Sequence, residues 1–431
     1  MHASTAPGSD ATLREWLSYL ETLHPKPIAL GLERVQQVYE RLALRFACPV
    51  IVVGGTNGKG STCALLEAML TAAGYRVGLY TSPHLLRYNE RVRIGGVDAT
   101  DEALTRALQA VEAARGDVSL TYFEFGTLAA LWLFAQSALD ALVLEVGLGG
   151  RLDAVNIIDA DVAIVTTVAI DHVDFLGPTR EDIGREKAGI FRAGRTAICA
   201  DRGPPSSLLA HASAIGARLL RIGVDFDCTD EASQWRYRGP GGARYGLPHP
   251  ALRGSYQLAN AATALCAVDE LRQRLPVAMG AVRDGLQHVS LSGRLQVLPG
   301  RPTTVLDVAH NPHAASALAE ALGGMGFHPE TWGVFAIMGD KDIAAVVRAM
   351  KPRIDRWLIA TLPPPRGATG PQLARELGAA GVADAAVRIF ERPEDAYAFA
   401  CESAGEADRI VVFGSFLTVA AALATPRRRT A

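Results

Sequence analysis

The residues best suited to chemistry are Gly55-Thr56-Asn57-Gly58-Lys59-Gly60-Ser61-Thr62, a glycine-rich stretch with one lysine and three hydroxyls. It lies between an apolar run, Val50-Ile51-Val52-Val53, and a segment whose apolar residues Leu65, Leu66, Met69 and Leu70 recur at helical spacing. Strand, glycine turn and helix in that order make a phosphate cradle. Glycines let backbone N–H groups converge on an anion, and the helix N-terminus adds the positive end of its dipole. Lys59 is the cation that would neutralise the β- and γ-phosphates of a nucleotide. The spacing departs from the common nucleotide-binding loop, with Val53 where the first glycine belongs and Gly60 where Ser or Thr follows the lysine.

Further candidates stand at the ends of other apolar runs, the edge of a parallel sheet at which ligands gather. Ser82, in Thr81-Ser82-Pro83-His84, is placed to reach a metal ion near Ser61, although a serine before proline is also an ordinary turn former. Glu145 closes the run Ala141-Leu142-Val143-Leu144, where a carboxylate is costly to bury without a partner. A bound cation would satisfy it, with a salt bridge to Lys59 or Arg151 as the alternative. Asp171-His172 follows the apolar run 162–168 to the same edge. Because Mg2+ prefers oxygen ligands, spacing alone makes His172 a supporting or core residue. Lys187, in Arg185-Glu186-Lys187, is a surface cation unless its helix turns it toward the site.

The elements that must position these groups alternate strand and helix. Helices are predicted over residues 13–23, from Leu32, from the glycine-rich turn to Gly74, and over 102–115 and 125–136. Over residues 203–254 the pattern weakens into Pro, Gly and Arg, which reads as hairpin and loop. A helix runs from Asn260 to Leu271, and residues 290–302 interrupt the pattern as a hinge. Strand and helix then alternate again, the first strand ending in Asp307-Val308-Ala309-His310-Asn311. The expected fold class is α/β in two domains, residues 1–293 and 294–431, each with a largely parallel sheet.

Composition agrees with a globular enzyme: of 431 residues 49% are hydrophobic and 20% charged, enough to bury two cores. A formal net charge of −2 leaves no footprint of a nucleic-acid binder, and Arg427-Arg428-Arg429 reads as a solvated tail. The six cysteines are scattered without metal-ligand spacing, as reduced thiols in a reducing compartment. No basic-then-apolar leader and no apolar run long enough to span a bilayer is visible, so the expectation is a cytoplasmic protein without a membrane partner.

In combination, Gly55 to Ser61, Thr81-Ser82-Pro83-His84, Glu145-Val146-Gly147-Leu148-Gly149-Gly150-Arg151-Leu152-Asp153, Asp171-His172, Arg185-Glu186-Lys187-Ala188-Gly189, Leu252-Arg253-Gly254 with Asn260, and Asp307 with His310 resemble the Mur ligase superfamily. Within it, the chain is similar to the folylpolyglutamate synthase/dihydrofolate synthase family along nearly its whole length. The resemblance implies an N-terminal ATPase domain of P-loop type and a smaller, Rossmann-like C-terminal domain that closes on ATP. It implies an ATP-dependent ligase that adds L-glutamate to 7,8-dihydropteroate and to the γ-carboxylate of reduced folates through an acyl phosphate. Asn57, Gly58, Lys59, Gly60 and Ser61 would hold the ATP phosphates, and Asn260, Arg294, Asp307 and His310 would grip the nucleotide. Ser82, Glu145 and His172 would ligate Mg2+, which reverses the reading of His172 from spacing. Lys187 would be carbamylated and serve a second Mg2+. With Lys59, these ligands Glu145, His172 and Lys187 make up the implied catalytic set.

Three segments match the family's pterin site: Ile28, Ala29, Leu30 and Gly31; Thr121, Tyr122, Phe123 and Glu124; and Leu152, Asp153 and Ala154. Phe123 would be a stacking ring and Asp153 a hydrogen-bonding carboxylate, whereas from residues alone Ile28 to Gly31 is a plain connector. Gly60 is normal for this family, and a monomer is its expected state. A peptidoglycan-type Mur ligase is disfavoured, because that type carries a sugar-nucleotide domain ahead of the loop and here 54 residues precede Gly55. A monofunctional polyglutamylase would differ in the detail of the pterin pocket. A nucleotide-dependent switch without ligase activity would have no use for Lys187 or His172.

Overall fold

Near-continuous Val, Ile, Leu and Ala before Gly54, Tyr80, Glu145 and Val165 make strands buried on both faces, as a helix-covered parallel sheet requires. The computed structural model describes residues 6–8, 10–26 and 28–426, so the Arg427-Arg428-Arg429 tail, the first five residues, Ser9 and Pro27 lie outside the described residues. β1 (Val50–Gly54), β2 (Val77–Tyr80), β3 (Val92–Ile94), β4 (Val97–Asp98), β5 (Ala141–Glu145), β6 (Val162–Val165), β7 (Thr196–Cys199) and β8 (Arg218–Arg221) form one sheet in the order β4-β3-β2-β5-β1-β6-β7-β8. All are parallel except β3 and β4 at one edge. Register decides what meets at the C-terminal edge. Val53 pairs with Glu145, Gly54 with Val165 and Tyr80 with Leu144, so the glycine-rich loop, Glu145 and the Ser82 loop leave the sheet side by side.

Residues 203–254 correct the expectation of hairpin and loop alone. They hold a helix, Ser206–Ala214, the strand β8, and a three-stranded antiparallel sheet of β9 (Asp227–Glu231), β10 (Gln234–Gly239) and β11 (Gly242–Leu247). Trp235, Tyr237 and Leu247 are buried while Arg236 and Arg238 face water, so the strand alternates inward and outward with arginine on the solvent face. The stretch 290–302 likewise carries a strand, β12 (Gln296–Leu298).

β12 pairs antiparallel with β13 (Thr303–Leu306). The second sheet continues with β14 (Thr331–Phe335), β15 (Arg356–Ala360), β16 (Val387–Phe390) and β17 (Arg409–Phe413), in the order β12-β13-β17-β14-β15-β16 and parallel beyond β12. Its core includes Phe335, Trp357 and Phe413, whose rings are within 6.0 Å of one another centre to centre. By contact the chain divides into two units. The N-terminal unit runs to Val168 and includes Asp174–Ala251 and Leu258–Val289; the C-terminal unit comprises Ala169–Val173, Leu252–Gln257 and the chain from Ser290 onward. No helix among the described residues is long and apolar enough to cross a membrane.

Candidate active site

The phosphate-type loop is shaped by two glycines that no other residue could replace without movement. Gly55 has φ +141°, and a Cβ there would stand 1.8 Å from the Thr166 hydroxyl; Gly58, at φ +91°, caps the helix Lys59–Ala72, and its Cβ would meet Asn260 Oδ1 at 2.7 Å. Thr166 and Thr167, just past β6, tie the loop down. The Thr56 N–H donates to Thr167 O at 2.7 Å, the Asn57 N–H to Thr167 Oγ1 at 3.0 Å, and the Thr166 hydroxyl to Asn57 O at 2.7 Å. The apolar run continues to Val168 but β6 ends at Val165, and both threonines beyond it anchor the loop. Lys59 Nζ donates to Gly55 O at 3.1 Å and Thr56 O at 3.3 Å, which folds the ammonium over the loop. A Gly55→Ala protein is expected to lose more than about tenfold in ADP affinity, measured by equilibrium binding, because the loop must move to admit the methyl. Unchanged affinity would show that the loop shape does not matter to nucleotide binding.

At the neighbouring strand ends, Glu145 is 4% exposed and its Oε2 accepts the Ser82 N–H at 3.1 Å. The alternative of a Glu145–Arg151 salt bridge gives way, because the Arg151 guanidinium bridges Glu186 at 2.8 Å. Lys187 is no surface cation: it is 3% exposed near the end of the helix Arg180–Ala188. The Gly150-Arg151 turn packs on that helix end, with a Gly150 Cβ position 2.9 Å from Lys187 O. Among the described residues no three His, Cys, Asp or Glu side chains converge as a metal site. The buried Glu145 carboxylate is an oxygen donor of the type that suits a hard cation, one that keeps water and takes phosphate oxygens.

The three segments matched to a pterin site are joined within the N-terminal unit. Arg34, on the helix Glu33–Leu42, donates to Ala29 O at 2.7 Å and to Glu124 Oε1 at 2.8 Å. Glu124 also accepts the Thr121 N–H at 2.8 Å, closing a capping box on the helix Tyr122–Ala135. The Gly31 N–H donates to Leu152 O at 3.4 Å. Phe123 is partly exposed and lies against Gly147, where a Cβ would stand 2.5 Å from the ring, and 6.1 Å from the Tyr80 ring. Asp153 accepts N–H groups from Leu148 at 2.8 Å and Val155 at 2.9 Å. Its burial outweighs these bonds and the charge of Lys59, so its pKa is pushed up to about 6. Arg34 escaped sequence reading; the signal was the acidic capping residue Glu124, buried in an apolar helix and needing a cation.

In the C-terminal unit, Asp171 is the centre of a polar cluster. Its carboxylate lies 2.6 Å from Lys341 Nζ, accepts from Asn311 Nδ2 at 3.1 Å and stands 3.6 Å from His310 Nε2. Burial alone would raise its pKa, but the neighbouring His310 imidazole and the charges of His172 and Lys341 hold it well below the usual carboxylate range. His172, at φ +53° and with Nε2 3.4 Å from Lys341 Nζ, is partly exposed and no core residue. Asp307 is buried and accepts N–H groups of Leu295 and Ala309, both at 2.8 Å; burial pushes its pKa up against the pull of Arg294. The Arg294 guanidinium lies 5.1 Å from the centre of the Phe416 ring, and the His310 ring 6.4 Å from it. Phe416 and Lys341 were not singled out from sequence.

The chain matches the Mur ligase middle domain family over residues 53–268 and the Mur ligase glutamate ligase domain family over residues 293–416. It is 47% identical over 418 residues to the dihydrofolate synthase/folylpolyglutamate synthase of Escherichia coli (strain K12), covering 96% of this chain and 95% of that protein. The structure of E. coli FolC in complex with DHPP and ADP is similar at a TM-score of 0.91 and 46% identity, covering 97% of this chain and 98% of that one. A bifunctional folylpolyglutamate synthase/dihydrofolate synthase with Mn, AMPPNP and L-glutamate bound is similar at a TM-score of 0.90 and 46% identity, over 97% and 99% of the two chains. With the likeness running through nearly the whole chain, the chain belongs to the dihydrofolate synthase/folylpolyglutamate synthase family of the Mur ligases.

Proposed function

We propose that the chain is an ATP-dependent carboxylate–amine ligase that joins L-glutamate to 7,8-dihydropteroate and to the γ-carboxylate of reduced folates through an acyl phosphate. The observation that carries this reading is the meeting, at one edge of one sheet, of the phosphate-type loop with the Ser82–Glu145 pair. A carboxylate does not condense with an amine in neutral water, so the γ-phosphoryl group is first moved onto it. That transfer needs positioning and charge neutralisation rather than a protein nucleophile. The loop N–H groups and Lys59 hold the phosphates, with Asn260 beside Gly58 and with Arg294, Asp307 and His310 as further nucleotide contacts. Ser82, Glu145, His172 and, as a carbamate, Lys187 are the ligands assigned to two Mg2+ ions, which when bound neutralise charge and orient the transferred group. Residues 1–293 are assigned to ATP and pterin binding and 294–431 to the C-terminal ligase domain, in a cytoplasmic monomer.

The reading is tested by phosphate release from ATP with 7,8-dihydropteroate or tetrahydrofolate as acceptor. Release that requires both L-glutamate and an acceptor is expected with each; release independent of any acceptor would refute it.

Asp153 gives the pterin site a pH signature. As a hydrogen-bond acceptor for the pterin it must be ionised, and its pKa of about 6 lies above the ordinary carboxylate value. Acceptor binding is therefore full about one pH unit or more above 6 and lost as pH falls through 6, the KM for dihydropteroate approaching a rise of about tenfold per pH unit below that. Asp153→Asn should flatten that rise; a wild-type KM that stays level from pH 7 to pH 5 would show that Asp153 is structural.

A further inference from the structure

The loop that leaves β2 carries Ser82 and ends at Arg91, a residue that none of the roles above uses. Arg91 Nε donates to His84 Nδ1 at 2.8 Å, and the guanidinium carbon lies 5.3 Å from the centre of the Tyr88 ring and 5.7 Å from that of Tyr122. The rings themselves are packed edge to face, Tyr88 on Tyr122 at 6.0 Å and His84 on Tyr88 at 5.8 Å. Of the other partly buried arginines of the same unit, Arg34, Arg93, Arg115, Arg192 and Arg244 each bridge a carboxylate, and Arg221 does not. Among the described residues no carboxylate lies within ion-pair distance of Arg91. Glu90 beside it does not fill the role, because its carboxylate accepts the N–H groups of Leu85, Leu86 and Arg87 at 2.7 to 2.8 Å.

A guanidinium held against rings and tethered through Nε keeps its two Nη groups for a planar anion, and a carboxylate fits that fork in a bidentate way. The position is informative. His84 lies two residues from Ser82, whose N–H is on Glu145, and Tyr122 is followed in its helix by Phe123. Arg91 is thus linked through His84 to the loop that carries Ser82, assigned to the metal ion, and through Tyr122 to the segment assigned to the pterin.

We propose that Arg91 binds the non-reacting carboxylate of an acceptor that already carries a glutamyl residue. The assignment rests on the ligase reading above. Dihydropteroate has one carboxylate, and the reaction consumes it. A folate presents a γ-carboxylate for activation and an α-carboxylate that stays ionised throughout. A cation in this place therefore serves the second kind of acceptor and discriminates between the two.

The test measures kcat and KM separately for tetrahydrofolate and 7,8-dihydropteroate in wild type, Arg91→Ala and Arg91→Lys, by glutamate-dependent phosphate release. In Arg91→Ala the ratio of kcat/KM for tetrahydrofolate over dihydropteroate is expected to fall about 30- to 100-fold, chiefly through the KM for tetrahydrofolate. Arg91→Lys keeps the charge and the stem without the fork, and its ratio should lie between the other two. An unchanged ratio, whether both acceptors suffer together or neither does, overturns the assignment. Wild-type protein inactive with both acceptors overturns the ligase reading and the assignment with it, which distinguishes the two failures.

Discussion

Lys59→Ala is expected to lower kcat at saturating ATP by about 10²- to 10³-fold while leaving the thermal unfolding midpoint close to that of the parent. The loss follows from removing the one side-chain cation at the head of the helix Lys59–Ala72, where charge builds on the transferred phosphoryl group. The fold should survive, because the loop is held by the Thr166 and Thr167 hydrogen bonds to Thr56 and Asn57 rather than by the lysine. Phosphate release and thermal unfolding measured on one preparation check both halves. Parent-like turnover would remove the phosphate-clamp role. A collapsed unfolding midpoint would show instead that the bonds from Nζ to Gly55 O and Thr56 O are what shape the loop.

Lys187→Ala should cost turnover on a similar scale, and short carboxylic acids such as formate or acetate should restore part of it. Lys187 is 3% exposed, and an ammonium taken so far from water is costly. A carbamate on the same amine is an oxygen-bearing anion, the donor type that a second Mg2+ accepts. Truncation to alanine leaves a cavity in which a small carboxylate can put its oxygens where the carbamate stood. Activity lost without rescue at any acid concentration would argue that the lysine acts as a plain amine or only fills space.

The α/β alternation with largely parallel sheets was legible, because strands buried on both faces read as unbroken apolar runs and the helices between them keep their own period. Glu145 was legible for the same reason: a carboxylate closing such a run stands out. Its contact with Ser82 was not, since it depends on the register that sets Tyr80 opposite Leu144. Thr166 and Thr167 extend the β-branched pattern of β6, so nothing local says that their hydroxyls are captured by a loop more than a hundred residues earlier. Arg34 and Glu124 are separated by 90 residues, and Lys341 and Asp171 by 170. Such partners become visible only when the chain is folded, although a buried acid such as Glu124 announces that one must exist. The helix Ser206–Ala214 buries only Leu208 and Ala212, too narrow a stripe to stand out among its flanking prolines and glycines.

Phosphoryl transfer to the acceptor carboxylate is the step on which the proposed ligase reaction depends, and the most direct test follows the oxygen atoms of that carboxylate. Dihydropteroate labelled with heavy oxygen in its carboxylate would be turned over with ATP and L-glutamate, and the inorganic phosphate analysed by mass spectrometry. An acyl phosphate predicts one labelled oxygen in the phosphate for each amide formed, because the carboxylate oxygen that attacks phosphorus leaves with it. Amide formation accompanied by unlabelled phosphate would contradict the account.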